Sequence, residues 1–239
     1  MSTQTSAPVD ARRPFAIVLP LAVPFERSRD ASHPSLSGLN GIAKRSIDIA
    51  GALAGLILLA PVLLLVAIAI KLDSPGPVIF RQRRVGLDGR RFDIYKFRSM
   101  AADAEERRAE LAPFNEVTDG PIFKMAKDPR ITRVGRLIRR TSLDEFPQLI
   151  NVLLGQMSLV GPRPPLPAEV ARYGPADRDR LRVLPGCTGL WQVSGRSDLA
   201  SFKTMVQLDL EYIRAWSHRL DLVIILKTMR TILFMEGSC

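Results

Sequence analysis

Asp144 and Glu145 stand side by side in SLDEFPQLINVLLGQMSLVGPRP, the stretch from Ser142 to Pro164. Arginines at 133, 136, 139 and 140 crowd the residues just before them, and an apolar run follows. Such a pair can do two kinds of work. Ser142 followed three residues later by Glu145 is the pattern of a capping box, and acidic side chains are favoured in the first turn of a helix. The same pair also suits a divalent cation on a phosphorylated substrate. Mg²⁺ takes one or two carboxylates and completes its shell with phosphate oxygens, while arginine matches those oxygens with a planar fork. A carboxylate can attack phosphorus to form an acyl phosphate. Anion then approaches anion, so metal and arginine must neutralise the diphosphate. On the residues alone both readings stand.

Composition narrows the partner. Of 239 residues, 34 are Lys or Arg and 24 are Asp or Glu, a formal charge of +10. That balance asks for a polyanion: nucleic acid, anionic lipid or a phosphorylated substrate. No nucleic-acid partner is expected, because aromatics at 6% are too sparse for a stacking platform and the charge does not account for an uncharged run at 49–70. Cys187 and Cys239 make no disulfide framework and no metal-ligand spacing, which fits a reducing setting.

The elements that must position the carboxylates follow from the patterning. Residues 1–40 read as a disordered tail, rich in Pro, Ser and Arg, in which FAIVLPLAVPF is interrupted by Pro20 and Pro24 and lacks the form of a signal peptide. IAGALAGLILLAPVLLLVAIAI, Ile49 to Ile70, would reach roughly 33 Å as one helix, enough to cross a bilayer core. Pro61 near its middle removes a helical hydrogen bond and favours a kink. Basic residues flank both ends, Lys44 and Arg45 before, Lys71, Arg81, Arg83 and Arg84 after. A helix that enters the membrane, bends at Pro61 and returns to the same face reconciles them; a single crossing and a buried soluble helix are the alternatives.

Beyond it, Asp88-Gly89 signals a hairpin between short strands, and Ala101–Leu111 reads as a charged surface helix. Val134, Leu137 and Ile138 form an apolar stripe, with Arg133, Arg136 and Arg140 on another face. A helix is expected over Phe202–Trp216, and DLVIILKTMRTILFM, apolar yet carrying Lys227 and Arg230, suits an interfacial amphipathic helix.

Six motifs in series carry a resemblance: KRSID (Lys44–Asp48), FRQRRVG (Phe80–Gly86), KFRSM (Lys96–Met100), DPRITRVGRLIRRTSLDEFPQL (Asp128–Leu149), GQMSLVGPRP (Gly155–Pro164) and PGCTGLWQVSGR (Pro185–Arg196). In that order they resemble the bacterial sugar transferase family, monotopic polyprenyl-phosphate phosphoglycosyl transferases, in its small, ExoY-like form. The resemblance covers about residues 41–239. It implies an enzyme in which Asp144 attacks the sugar-bearing phosphate of a UDP-sugar, releases UMP, and passes the sugar phosphate to undecaprenyl phosphate at the cytoplasmic face of the inner membrane. Glucose or galactose is the expected sugar. Glu145 resembles the partner that helps Asp144 hold Mg²⁺. Arg163 is similar to a family arginine near the nucleotide diphosphate, and Arg136 and Arg140 are expected at phosphate. Lys96 and Arg98 resemble the family's KFRTM signature, for which substrate contact and structural ion pairing are the two readings. Gln192 could line the site, while Lys44, Arg45 and Asp48 are expected to be architectural at the membrane face. Later glycosyl transferases are implied partners, and a homo-oligomer is compatible.

The chain departs from the family pattern at Ala60, where Ser usually precedes the membrane-helix proline, and at Phe146 and Cys187, which read as packing changes. The expected architecture is α+β and predominantly helical: tail 1–40, re-entrant membrane helix 41–73, and a compact cytoplasmic catalytic domain 74–239 with interfacial helices.

Overall fold

A computed structural model describes residues 38–115, 125, 127–194 and 201–234. The expected tail lies outside the described residues except for its last three, which open the first helix, and Arg196 and Cys239 lie outside them too. In order come α1 (Gly38–Asp73), β1 (Ile79–Val85), β2 (Arg91–Phe97), α2 (Arg108–Leu111), α3 (Arg133–Arg140), α4 (Gln148–Leu153), β3 (Ser158–Val160), α5 (Pro167–Val170), β4 (Gly186–Thr188), α6 (Leu190–Val193), α7 (Phe202–Ala215) and α8 (His218–Phe234). The fold is mostly helical, as expected.

The uncharged run makes one helix of 36 residues, with Pro61 inside it. It is long and apolar enough to cross a membrane. Both its halves touch the same body. Ala52 is buried with Phe92, Ile94, Val152 and Met157; further along, Val66 and Ile70 are buried with Phe97 and Ile138. Leu53, Ile57, Leu58, Leu64 and Leu65 remain exposed. Burying each such side chain is worth about 2 kcal/mol, so a contiguous run left bare in water marks a surface meant for an apolar neighbour. Polar side chains root the helix. Arg45 donates to the carbonyls of Val152 and Leu153 at 2.7 and 3.1 Å, satisfying the open end of α4. Asp48 accepts from Ser158 Oγ and Leu159 N–H, both at 3.0 Å.

The hairpin forms where Asp-Gly predicts it. β1 and β2 run antiparallel with Ile79 opposite Phe97 and Val85 opposite Arg91, and Asp88 and Gly89 turn the chain at φ 52° and 79°. Phe92, Ile94 and Phe97 face inward. The expected helix over Ala101–Leu111 is confined to Arg108–Leu111, with turns before it. α3 is capped by Thr132, whose Oγ1 accepts Gly135 N–H at 2.9 Å, and Val134 N–H donates to Asp73 Oδ2 at 3.1 Å, locking α3 to the end of α1. Ile138 is buried, but Leu137, expected beside it, is 60% exposed.

The C-terminal helices close over a two-stranded parallel sheet. Ser158 of β3 pairs with Gly186 of β4, and Val160 with Thr188. Val160, Tyr212 and Ile224 form the core there. Tyr212 Oη lies 3.0 Å from Val160 O and 2.9 Å from Asp221 Oδ1, while Lys44 of α1 reaches Asp221 Oδ2 at 2.7 Å. The base of the apolar helix is thereby tied to α7 and α8.

Candidate active site

Asp144 and Glu145 sit on a 3-10 turn, Leu143–Glu145, between α3 and α4. The capping box read from the sequence does not form. Ser142 adopts a left-handed backbone, φ 55°, and its side chain makes no capping hydrogen bond. The chain must reverse within a few residues after α3, and that reversal claims the conformation a capping serine would need. Glu145 is bonded instead across the fold: Lys96 Nζ of β2 donates to its Oε1 at 2.8 Å, in a half-buried contact. The carboxylate turn and the strand carrying Lys96 thus make one unit.

Arg163 projects from the GPRP loop with 30% of its side chain exposed, its Nη1 3.6 Å from Glu169 Oε2. Glu169 is almost fully buried and also accepts Leu166 N–H at 2.9 Å. Beneath it Arg180 is ion-paired with Asp209, donates to Tyr173 Oη at 3.0 Å, and reaches Arg163 O at 3.5 Å. Burial disfavours the Arg180 charge, but Asp209, Tyr173 and Glu169 outweigh it and hold its pKa above arginine's ordinary value. Burial pushes the Tyr173 phenol up to about 12, so it stays neutral. The loop itself lies against β4: Gly161 N–H donates to Thr188 O at 2.9 Å and Gly186 N–H to Pro162 O at 2.8 Å. A Cβ on Gly186 would stand 2.1 Å from Gly161 N, so only glycine permits the approach.

Cys187 of β4 lies within electrostatic reach of Glu145. Burial, with Glu145 and Asp48 adding to it, drives its thiol far above the usual range, so it stays protonated and serves packing. Gln192 Nε2 donates to Cys187 O at 3.4 Å, and its Oε1 is buried without a hydrogen-bond partner.

Residues 39–235 match the family described as bacterial sugar transferase. The chain belongs to that family. It is 48% identical over 197 residues to the galactosyl transferase CpsE of Streptococcus agalactiae, covering 82% of this chain and 43% of that one. It is 44% identical over 201 residues to the Escherichia coli UDP-glucose:undecaprenyl-phosphate glucose-1-phosphate transferase, 81% of this chain and 41% of that one. With the exopolysaccharide production protein ExoY of Rhizobium meliloti it shares 40% over 203 residues, 84% of this chain and 89% of that one. The chain therefore spans less than half the length of the first two and most of the third.

In this sugar transferase the structure joins Lys96 to Glu145, the neighbour of Asp144, and Gln192 to Cys187, whose thiol feels the charges of Glu145 and Lys96. Arg136 and Arg140 are exposed on α3, on the same side as Arg133. Arg98, for which substrate contact and a structural role are the two readings, is 5% exposed and gives its guanidinium to Pro75 O at 2.6 Å and Ser74 O at 2.7 Å, with Ile70 O at 3.5 Å. It closes the end of α1, because the last carbonyls of a helix have no intrahelical donor. Lys44, Arg45 and Asp48 all point into the body at the other end. The sequence reading singles out neither Glu169, Arg180 and Asp209, which carry Arg163, nor Asn151, because nothing in the letter of a buried polar residue sets it apart from a solvated one. No cluster of three or more His, Cys, Asp or Glu side chains converges among the described residues, so a cage made by protein alone is absent from them. Two adjacent carboxylates have the donor chemistry that Mg²⁺ accepts, and the rest of its shell would have to come from elsewhere.

Proposed function

We propose that this protein transfers a sugar 1-phosphate, of glucose or galactose, from a UDP-sugar to undecaprenyl phosphate through a phosphosugar–aspartate intermediate, as the first step of an exopolysaccharide repeat unit. The observation that carries the reading is the Asp144–Glu145 turn braced by Lys96, in a chain of this family whose apolar helix has both ends on that same body. The printed names of its relatives, a glucose-1-phosphate transferase to undecaprenyl phosphate and a galactosyl transferase, support the substrate class.

An Asp144 carboxylate oxygen attacks the sugar-bearing phosphorus; an O–P bond forms and the bond to UMP breaks. Lys96 is bonded to Glu145, and Asp144 is the carboxylate assigned to the attack. A phosphate oxygen of the lipid then attacks the same phosphorus, the acyl-phosphate bond breaks, and the Asp144 carboxylate returns. Arg163, set on its buried Glu169–Arg180–Asp209 support, and Arg136 and Arg140 offer cationic contact to diphosphate and lipid phosphate. Mg²⁺, held by Asp144 and Glu145, would supply charge neutralisation on the phosphates.

The membrane topology belongs to the same proposal. A straight 36-residue helix extends about 54 Å, and a body on one side of a bilayer cannot hold both ends of a spanning helix. Contacts at Ala52 and again at Val66 and Ile70 support a helix that bends near Pro61 and returns to the cytoplasmic face of the inner membrane. Leu222, Leu226, Met229 and Leu233, exposed along one stripe of α8, support an interfacial helix beside it. The sugar diphospholipid is the substrate for later glycosyl transferases.

The deciding experiment incubates purified protein, Mg²⁺ and undecaprenyl phosphate with UDP-glucose or UDP-galactose beside Asp144→Asn. UMP from wild type and none from the variant is expected, with the preferred donor naming the sugar. UDP as product would replace the reading with transfer of the sugar alone. No nucleotide from any donor in a panel would leave a membrane scaffold. For topology, single cysteines at positions 42 and 74 should both label from the cytoplasmic side only; labelling from opposite sides would establish a single crossing.

A further inference from the structure

Asn151, on α4, is completely buried. A lone amide in an apolar core is expensive unless its hydrogen-bonding capacity is used, and here three of its four sites are taken. Oδ1 accepts Tyr95 N–H at 3.0 Å; Nδ2 donates to Asp93 O at 2.7 Å and to Gln156 Oε1 at 2.7 Å. Asp93 and Tyr95 lie two apart on β2, which pairs with β1 on one side and, among the described residues, has no strand on the other. Their N–H and C=O point to that open edge, so the amide of Asn151 does what a neighbouring strand would do. Its own carbonyl accepts Gln156 N–H at 3.0 Å and Met157 N–H at 3.3 Å, fixing the turn into β3 and the GPRP loop.

The next residue along β2 is Lys96, and the turn that leads into α4 carries Asp144 and Glu145. Two links therefore join the same two elements: the buried amide, and the Lys96–Glu145 contact at 2.8 Å. A salt bridge that is part-solvated sets distance weakly, because long side chains swing at little cost. A buried amide bonded to two backbone groups of the strand sets register firmly.

We infer that Asn151 is a positioning residue for the transfer reaction: by pairing with Asp93 and Tyr95 it holds β2 against α4 in the one register in which Lys96 meets Glu145, and so aims Asp144. The inference rests on the proposed phosphosugar transfer and deepens it. Asn151 touches no reacting atom; it acts through Lys96 and Glu145. A displacement of about 1 Å in a catalytic constellation lowers turnover about 100-fold, which is the size of effect expected.

The test is a double-mutant cycle on UMP release by the full chain in detergent or nanodiscs, with wild type, Asn151→Ala, Lys96→Met and the double variant, each normalised to folded protein by its melting transition. Asn151→Ala should lower kcat by about 100-fold with KM for the UDP-sugar within about threefold. The double variant should turn over no more slowly than Lys96→Met, within about threefold, because both substitutions remove one geometry. A merely structural loss multiplies with the Lys96→Met loss, and that result would overturn the inference. If Asn151→Ala does not fold at the assay temperature, Asn151→Ser takes its place in the cycle with the same criterion. UMP from wild type with multiplicative losses, or with an Asn151 variant at the wild-type rate, sinks the positioning role alone. No UMP from wild type sinks the proposed reaction and the inference with it.

Discussion

Lys96 Nζ lies 2.8 Å from Glu145 Oε1, and this contact joins a strand to a turn 49 positions further along the chain. Through it the carboxylate turn and β2 are held together at the candidate metal site. Glu145→Gln keeps the shape and removes the charge, so the Mg²⁺ concentration for half-maximal UMP release should rise about tenfold. EDTA should stop wild-type turnover and excess Mg²⁺ restore it. An unchanged Mg²⁺ dependence in Glu145→Gln would exclude Glu145 from the metal.

Arg98 behaves differently from its neighbour. Its guanidinium is spent on the carbonyls of Ser74 and Pro75, and a Cβ on Gly76, at φ +117°, would stand 2.1 Å from Arg98 Nη1. Charged hydrogen bonds of this kind contribute roughly 1.5–3 kcal/mol each. Arg98→Lys cannot span the same acceptors and should lower the melting temperature by several degrees while KM for the UDP-sugar, per folded molecule, stays within about threefold. A large rise in KM without loss of stability would return Arg98 to the substrate.

Lys44 and Asp221 anchor α1 to α8 at 2.7 Å, with Trp216 Nε1 donating to the same carboxylate oxygen at 3.2 Å. Removing the ammonium leaves a largely buried carboxylate without its cation. Lys44→Met should cost about 3 kcal/mol, roughly 10 °C in melting temperature for a chain of this size. Thermal melts in detergent with Lys44→Arg as the charge-conserving control check it; equal melts for Lys44→Met and wild type would remove the pair from the stability account.

Asp128 and Arg130 give a pH signature. Side-chain hydrogen bonds from Arg130, stronger than the opposing burial, hold the Asp128 carboxyl below its ordinary 3.8. A folded pKa below the unfolded one means stability that is present above about pH 4 and is lost as pH falls through the folded value. Asp128→Asn should therefore melt lower than wild type at pH 7, and the gap should narrow as pH is lowered below 4. A gap constant from pH 7 to pH 3 would contradict this assignment.

Leu58 is 79% exposed on α1 and Leu64 and Leu65 lie beyond Pro61. Leu58→Lys places a charge where the apolar surface is expected to meet lipid. The variant should partition less to membranes and lose turnover on lipid-borne acceptor, while phosphosugar capture from soluble UDP-sugar falls far less. Sedimentation with vesicles measures the first; retention of wild-type partitioning would show that this face is not in lipid.

Several features are legible one element at a time. The uncharged run at 49–70 becomes a helix because no residue in it favours water over burial, and Asp88-Gly89 turns the hairpin because both accept a left-handed backbone. Arg133, Arg136 and Arg140 fall on one exposed side by helical spacing alone. Where the reading fails, a second element intervenes. Ser142 has the letters of a cap, but the reversal between α3 and α4 takes its backbone first; Leu137 has the spacing of a core residue, but none of the described residues covers it.

The sequence by itself determined which residues carry charge, which run avoids water, and that Asp144 and Glu145 stand adjacent within a bacterial sugar transferase chain. Only the tertiary structure decided what each charge meets. Lys96 and Arg98 stand two apart in KFRSM, yet one meets a carboxylate 49 residues on and the other the closing carbonyls of α1. The physical reason is that the partners deciding the matter, carbonyls for Arg98 and an N–H and a carbonyl of β2 for Asn151, are backbone groups. Every residue carries them, so they leave no mark in the sequence until the fold exposes some and pairs the rest.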